Sequence, residues 1–85
     1  MTNAPPELGR RIEESYSKLE PRRVFQGCKI AEAEKGIVVR IYSQSREKPV
    51  VMPPPYRIFR FDSLTGALTA LTAEEATPYT IQNYK

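Results

Sequence analysis

The segment that most constrains the fold of this chain is residues 56–71, YRIFRFDSLTGALTAL. Its first part holds the aromatic and branched residues expected of a half-buried strand, namely Tyr56, Ile58, Phe59 and Phe61. The next five residues, DSLTG, supply an aspartate that can bind nearby backbone N–H groups and a glycine that tolerates positive φ. Residues 67–71 then return in extended form. The sequence therefore predicts a β-hairpin, placed at the centre of the sheet.

A regular apolar stripe precedes this hairpin. Its members recur at spacings of four, four and three residues, which places them on one helical face: Leu8, Ile12, Tyr16 and Leu19. Pro5 and Pro6 suit a first helical turn, and Pro21 prevents continuation. The pattern predicts an amphipathic helix over residues 6–19 after a frayed start at residues 1–4. Because its apolar face must be buried, we expect the helix to cover the sheet.

Three further segments complete the expected topology. Residues 37–42, IVVRIY, have the strongest β propensity and are predicted to form a central strand. The apolar and polar side chains of residues 28–34 alternate weakly, which indicates an exposed strand with few apolar side chains to bury. Phe25, on the connector before this strand, is expected to be a core residue. Residues 43–55 are first polar and charged and later proline-rich, so they predict a mobile loop with a polyproline segment.

The expected fold class is α+β. An N-terminal amphipathic helix packs on a three- to four-stranded antiparallel sheet, all within a single small domain spanning residues 1–85. Residues 77–85 are expected either to add an edge strand or to remain a tail. A chain of 85 residues allows only one modest core, with no second lobe for a cofactor.

Charge and composition narrow the function classes. The net charge of +3 favours anionic partners slightly, but its basic residues are dispersed and often adjoin acids, unlike a dense nucleic-acid-binding cluster. We see no apolar run of membrane-spanning length and no secretory signal, so we expect a cytoplasmic protein without a membrane partner. The single cysteine, Cys28, cannot form an intramolecular disulfide and is consistent with a reducing compartment.

Catalytic residue types are scarce. The chain has no histidine, which removes the commonest general base and metal ligand together with Ser-His and Cys-His nucleophile pairs. Glycine-rich phosphate loops and CxxC motifs are also missing. Cys28 adjoins Lys29, which would favour a thiolate, although a lone strand cysteine usually packs as a small apolar residue. We expect a non-enzyme that uses neither metal nor cofactor.

The candidate binding residues come from strand periodicity. If Phe59 and Phe61 face the helix, the opposite face collects Val38, Arg40, Tyr42, Tyr56, Ile58 and Arg60. Of these, tyrosine and arginine dominate protein-interface hot spots, and they also form stacking platforms for single-stranded nucleic acid. The predicted partner-binding residues are Arg40, Tyr42, Tyr56 and Arg60. The opposite strand orientation would expose Arg57 instead and separate this group.

Two functions fit these residues. The first is a small non-enzymatic interaction module that binds another protein, or a second copy of itself, through the Tyr/Arg face or a sheet edge. The alternative is a single-stranded nucleic-acid-binding protein that uses the same face. A purely structural explanation also stays open, since cross-strand Tyr–Arg and aliphatic pairs stabilise exposed sheets without binding anything.

Overall fold

A helix packed against a five-stranded antiparallel sheet forms the fold in a computed structural model, which describes residues 1–81. The elements are β1 (Thr2–Asn3), α1 (Pro6–Leu19), β2 (Arg23–Ala33), β3 (Gly36–Ser45), β4 (Tyr56–Phe61), β5 (Leu68–Ala70), α2 (Ala73–Ala76) and a 3-10 turn (Thr77–Tyr79). The strands lie in the sheet in chain order. The predicted α+β class is confirmed, with five strands rather than three to four; the additional β1 comes from the start expected to fray.

Helix α1 begins and ends at the predicted residues. Pro5 precedes it in extended conformation, and its carbonyl accepts the first helical hydrogen bond from the Gly9 N–H at 2.8 Å. Ile12 and Tyr16 are buried, whereas Leu19 is half-exposed at the C-terminus of the helix. The core therefore joins two helix residues to four strand residues, each 0–1% exposed: Ile12, Tyr16, Val39, Ile41, Phe59 and Phe61.

Strand β2 is longer and more buried than its sequence suggests. It includes the predicted connector around Phe25, and a β-bulge interrupts its register, because Phe25 pairs with Ser43 while Gly27 pairs with Tyr42. One extra residue reverses the alternation, so Phe25 and Cys28 both pack against the helix-side core. The prediction of an exposed strand with little to bury holds only in part: Cys28 and Ile30 pack against the core, although no residue of β2 is fully buried.

The predicted hairpin forms, but at one side of the sheet. Strands β4 and β5 are joined by a turn in which the Gly66 N–H donates to the Asp62 carbonyl at 2.7 Å, and Gly66 has φ of +79°. Strand β5 has only three residues, after which the chain leaves the sheet. In the described part of the chain no strand follows it, so the hairpin forms one side of the sheet. The middle position belongs to β3, the strand predicted to be central.

Strand β3 also extends into the segment that was expected to be a loop. It continues through Ser45, and Ser43 is buried with its hydroxyl 2.8 Å from the Tyr16 hydroxyl and 2.8 Å from the Arg23 Nε donor. These partners remove the cost of burying a polar side chain. Of the segment 77–85, Thr77–Tyr79 form the 3-10 turn, while residues 82–85 lie outside the described residues.

Candidate interaction site

The four predicted binding residues all lie on the face of the sheet opposite α1, called here the outer face. Tyr42 pairs with Tyr56 across β3 and β4, and Arg40 and Arg60 lie farther along the same face. The alternative orientation is excluded, because Arg57 lies on the helix side. Its guanidinium is 4.9 Å from the centroid of the Phe59 ring, and it donates to the Glu20 carboxylate at 2.9 Å.

Three of the four residues form one tyrosine–arginine cluster, defined as Arg40, Tyr42 and Tyr56. The two tyrosine rings are 5.7 Å apart between centroids and inclined at 55°. The Arg40 guanidinium lies 5.2 Å from the Tyr56 centroid, and its Nη1 donates to the Tyr42 hydroxyl at 3.3 Å. Aromatic pairs and cation–π contacts of this geometry each contribute about 0.5–1.5 kcal/mol. The cluster is therefore ordered before any partner binds.

Arg60 lies apart from this cluster. It is opposite Val38 in the register, and its Nε donates to the Lys35 carbonyl at 3.1 Å. Its charge acts weakly on α2: the pKa of Glu75 is lowered first by the Thr72 backbone N–H, then by the Thr72 hydroxyl, and less by Arg60. Arg60 is therefore not part of the cluster.

The C-terminal segment, residues 72–81, crosses part of the outer face. Arg40 Nη2 donates to the Tyr79 carbonyl, and the Ile81 N–H donates to the Tyr56 hydroxyl at 2.9 Å. The Tyr/Arg face was expected to be exposed, and this holds only in part, because the chain itself occupies part of the face. Neither α2 nor the 3-10 turn contributes a buried residue, whereas Val38 and Ile58 on the outer face of the sheet are 1% and 8% exposed.

Sequence reasoning missed a second feature beside the cluster. Gln44, on the outer face two residues beyond Tyr42, is 5% exposed, and its side-chain amide bonds both backbone groups of Val51. Its Nε2 donates to the Val51 carbonyl at 2.9 Å, and its Oε1 accepts from the Val51 N–H at 3.1 Å. The only sequence signal was an apolar run, VVM, enclosed by prolines within a polar loop.

The structure places Cys28 in a half-buried position. Burial, and to a smaller degree the nearby Glu13 carboxylate, raise the pKa of the Cys28 thiol, which disfavours the thiolate that Lys29 was considered to stabilise. Across residues 1–81, no group of three histidine, cysteine, aspartate or glutamate side chains is placed to hold a metal ion. Cys28 instead packs beside the core.

Comparisons with protein-family models, with curated proteins and with solved structures found no match to this chain. Within the described residues, no helix has the length and apolar character needed to cross a membrane.

Proposed function

We propose that this chain is a small non-enzymatic interaction module that binds another protein through its outer face. The observation that supports this proposal is the tyrosine–arginine cluster, in which Tyr42, Tyr56 and Arg40 are mutually packed yet each partly exposed. Tyr and Arg are the residue types most enriched at interface hot spots. Because the rings are held before binding, a partner would lose little side-chain entropy in ordering them.

The sheet edges offer a second route for the same function. Strand β1 pairs with only Ile30 and Lys29 of the eleven-residue β2, and β5 covers only the second half of β4. Backbone groups along such partly covered strands can pair with an added strand of a partner or of a second copy. We place this route second, because the two short outer strands and the adjacent charged residues are devices that limit edge pairing.

Single-stranded nucleic acid is the alternative ligand. It is favoured by the Arg40 guanidinium on the Tyr56 ring and by Lys29, which is paired with Arg40 across β2 and β3. Bases stack on such aromatic and cationic surfaces. It is disfavoured because Arg40 already donates to Tyr42 and Tyr79 within the chain. A phosphate would have to compete with these bonds.

The test of the leading proposal is partner capture by matched variants. Tagged wild type, the double variant Tyr42→Ser/Tyr56→Ser and the control Leu64→Ser are used to capture proteins from an extract, with quantification by mass spectrometry. Leu64 is 93% exposed at the hairpin turn, at the other end of β4. We expect specific partners to fall more than about tenfold with the tyrosine variant only. Equal capture by the wild type and the tyrosine variant would contradict the proposal.

The alternative is tested by an amide NMR titration with single- and double-stranded oligonucleotides at low and moderate salt. Nucleic-acid binding predicts shifts localised at the cluster that weaken steeply with salt, with a smaller salt slope in Arg40→Ala and Arg60→Ala. A protein interface built on tyrosines predicts little response to oligonucleotides and a mild salt dependence of partner capture. Unchanged salt slopes in both arginine variants would exclude phosphate binding by this face.

A further inference from the structure

An exposed apolar loop lies between β3 and β4, and none of its apolar side chains belongs to the core. Val50, Val51 and Met52 are 68%, 54% and 75% exposed, and the adjacent Val24 on β2 is 40% exposed. A chain of this size has few apolar residues to spare from its core. A contiguous apolar group on the surface is therefore a candidate binding site, whereas a lone exposed residue would need no explanation.

Hydrogen bonds from β3 anchor the backbone of this loop. The buried Gln44 amide bonds both the N–H and the carbonyl of Val51, at 3.1 and 2.9 Å, and the Ser43 N–H donates to the Pro55 carbonyl at 3.4 Å. Val24 is the register partner of Gln44, so it lies beside the loop. Prolines at positions 49 and 53–55 further restrict the backbone. The backbone that carries the apolar side chains is thus anchored, which lowers the backbone entropy lost on binding.

Basic residues lie at one end of this loop. Arg46 and Lys48 precede it in the sequence, with Glu47 between them. The Arg46 N–H donates to the Arg22 carbonyl at 3.0 Å, which brings the two arginine backbones together beyond the ends of β2 and β3, and the Arg46 Nε donates to the Pro21 carbonyl at 3.1 Å. The Arg22–Glu47 pair is 4.0 Å apart, with side chains 84% and 66% exposed, so it neutralises little of the positive charge. The apolar side chains thus have a basic group at one end of the loop.

From these observations we infer that the apolar loop, residues 49–53 with Val24, docks a short apolar protein segment flanked by acidic residues. Aliphatic side chains of the partner would cover Val50 and Met52, and its carboxylates would face Arg22, Arg46 and Lys48. This inference rests on the proposed function, that the chain binds proteins. It extends the binding surface, because Gln44 follows Tyr42 by two residues on the outer face, a rise of about 7 Å.

A protein segment suits this surface better than a lipid bilayer. The loop contains no aromatic residue, the type that anchors proteins at membrane interfaces, and Glu47 would face anionic headgroups. Membrane binding strengthens with the apolar area that is inserted, and two valines and one methionine provide little. Against a protein, the same side chains need only fill a small apolar contact beside a basic group.

The test is a selection of random dodecapeptides displayed on phage against the wild-type chain, followed by affinity measurements with the selected peptides. We expect enriched peptides to combine aliphatic residues with neighbouring Asp or Glu. Their affinity should fall about tenfold or more for Val50→Ser/Met52→Ser and stay unchanged for Leu64→Ser. For Arg22→Ala/Lys48→Ala we expect a several-fold loss that shrinks at high salt. All the replaced side chains are exposed, so each variant should fold, which NMR spectra verify.

Each other outcome overturns the inference in a distinguishable way. Selected peptides that bind Val50→Ser/Met52→Ser as well as wild type, but lose affinity for Tyr42→Ser/Tyr56→Ser, would overturn the loop site and retain the proposed function. Enriched peptides without acidic residues would overturn the assigned partner chemistry. No enrichment at all, together with no partner capture, would overturn both proposals. Loop-dependent sedimentation with phosphatidylcholine vesicles containing phosphatidylserine, but not without it, would assign the loop to an anionic bilayer instead.

Discussion

The two faces of the sheet are built from the same strands and differ in what covers them. Beneath α1, the core residues of β3 and β4 are 0–1% exposed and pack against Ile12 and Tyr16. On the outer face, the tyrosine–arginine cluster is only partly buried, and the segment that crosses it contributes no buried residue from α2 or the 3-10 turn. One helix is therefore sufficient to build the core, and the opposite face can carry residues chosen for other contacts.

The outer face is not uniformly open, and this refines the comparison. Val38 and Ile58 are 1% and 8% exposed, although neither belongs to the core cluster beneath α1. In the register they lie opposite Arg60 and Arg40, the long side chains whose stems can cover apolar neighbours. The outer face thus has aliphatic residues at its middle and aromatic residues at the end near the apolar loop.

The largest expected difference between the faces is in the cost of removing an aromatic ring. Phe59→Ala should lower the free energy of unfolding by about 3–5 kcal/mol, because a fully buried ring leaves a cavity. Tyr56→Ala should lower it by less, about 1–3 kcal/mol, because the ring pair, the cation–π contact and the hydrogen bond that it loses involve a partly exposed side chain and are not fully additive. Urea denaturation followed by circular dichroism measures both.

Phe59→Leu is the control in case Phe59→Ala prevents the chain from folding. Keeping most of the buried volume should limit the loss to less than that of Phe59→Ala. Equal destabilisation by Tyr56→Ala and Phe59→Ala would show that the outer face is a second core. In that case its tyrosines would be explained by stability, and the proposed interface would lose its main support.

The second prediction concerns the polar group buried on the helix side. Ser43→Ala should cost about 1–3 kcal/mol, because the Tyr16 hydroxyl and the Arg23 Nε lose their shared partner inside the protein. Ser45→Ala is the matched control, since its hydroxyl only accepts an exposed hydrogen bond from the Glu47 N–H. Its effect should stay within about 0.5 kcal/mol. Similar urea midpoints for the two variants would contradict the assigned role of Ser43.

What could be predicted from the sequence is what depends on local periodicity. The apolar spacing and the flanking prolines predicted α1, and the alternation in residues 37–42 and 56–61 allowed Arg40, Tyr42 and Tyr56 to share one face, with the opposite orientation left open. These features need only the 3.6-residue and two-residue repeats of helix and strand. The composition of the candidate cluster was therefore available before the structure, although its function was not.

The remaining features depend on contacts between distant residues. Ser43 and Gln44 have the polarity of loop residues, and their burial requires Tyr16, Arg23 and Val51 as partners. The bulge in β2 inserts one residue and reverses the expected alternation, so periodicity alone places Phe25 and Cys28 on opposite faces. The covering of the outer face by residues 72–81 likewise arises from tertiary contacts, which have no local pattern.

The third prediction tests the polar anchor on the outer face. Gln44→Leu should release the loop, because the Val51 N–H and carbonyl lose both of their side-chain partners. We expect a loss of about 1–2 kcal/mol at most, since the freed backbone groups can bind water in an exposed loop. Hydrogen exchange of the Val51 amide should accelerate, while amides of β3 beneath α1 keep their protection. Unchanged exchange at Val51 would contradict the preorganisation of the apolar loop.

The smallest expected effect is a difference between the two faces in how stability depends on pH. The pKa of Asp62 is lowered from its ordinary value of 3.8 by the Leu64 and Thr65 backbone N–H groups, and that of Glu75 from 4.5 by the backbone and hydroxyl of Thr72. A carboxyl group whose pKa is lower in the folded chain stabilises it above the unfolded-state pKa, and this contribution disappears as the pH falls through the folded-state pKa. Stability should therefore decline modestly as the pH falls below about 4.5 and then 3.8.

Protonation of the two carboxylates should destabilise different parts of the chain. Asp62 closes the hairpin that carries Phe59 and Phe61, so Asp62→Asn should reduce the acid dependence of global unfolding measured by urea titration. Glu75 caps α2 on the outer face, where no helix residue is buried, so Glu75→Gln should change local amide exchange in residues 73–76 and leave the global midpoint nearly constant. Because both groups are exposed, each effect should be small. A global loss of stability from Glu75→Gln would mean that the segment across the outer face unfolds together with the core. In that case a partner could reach the tyrosines beneath this segment only by unfolding the protein.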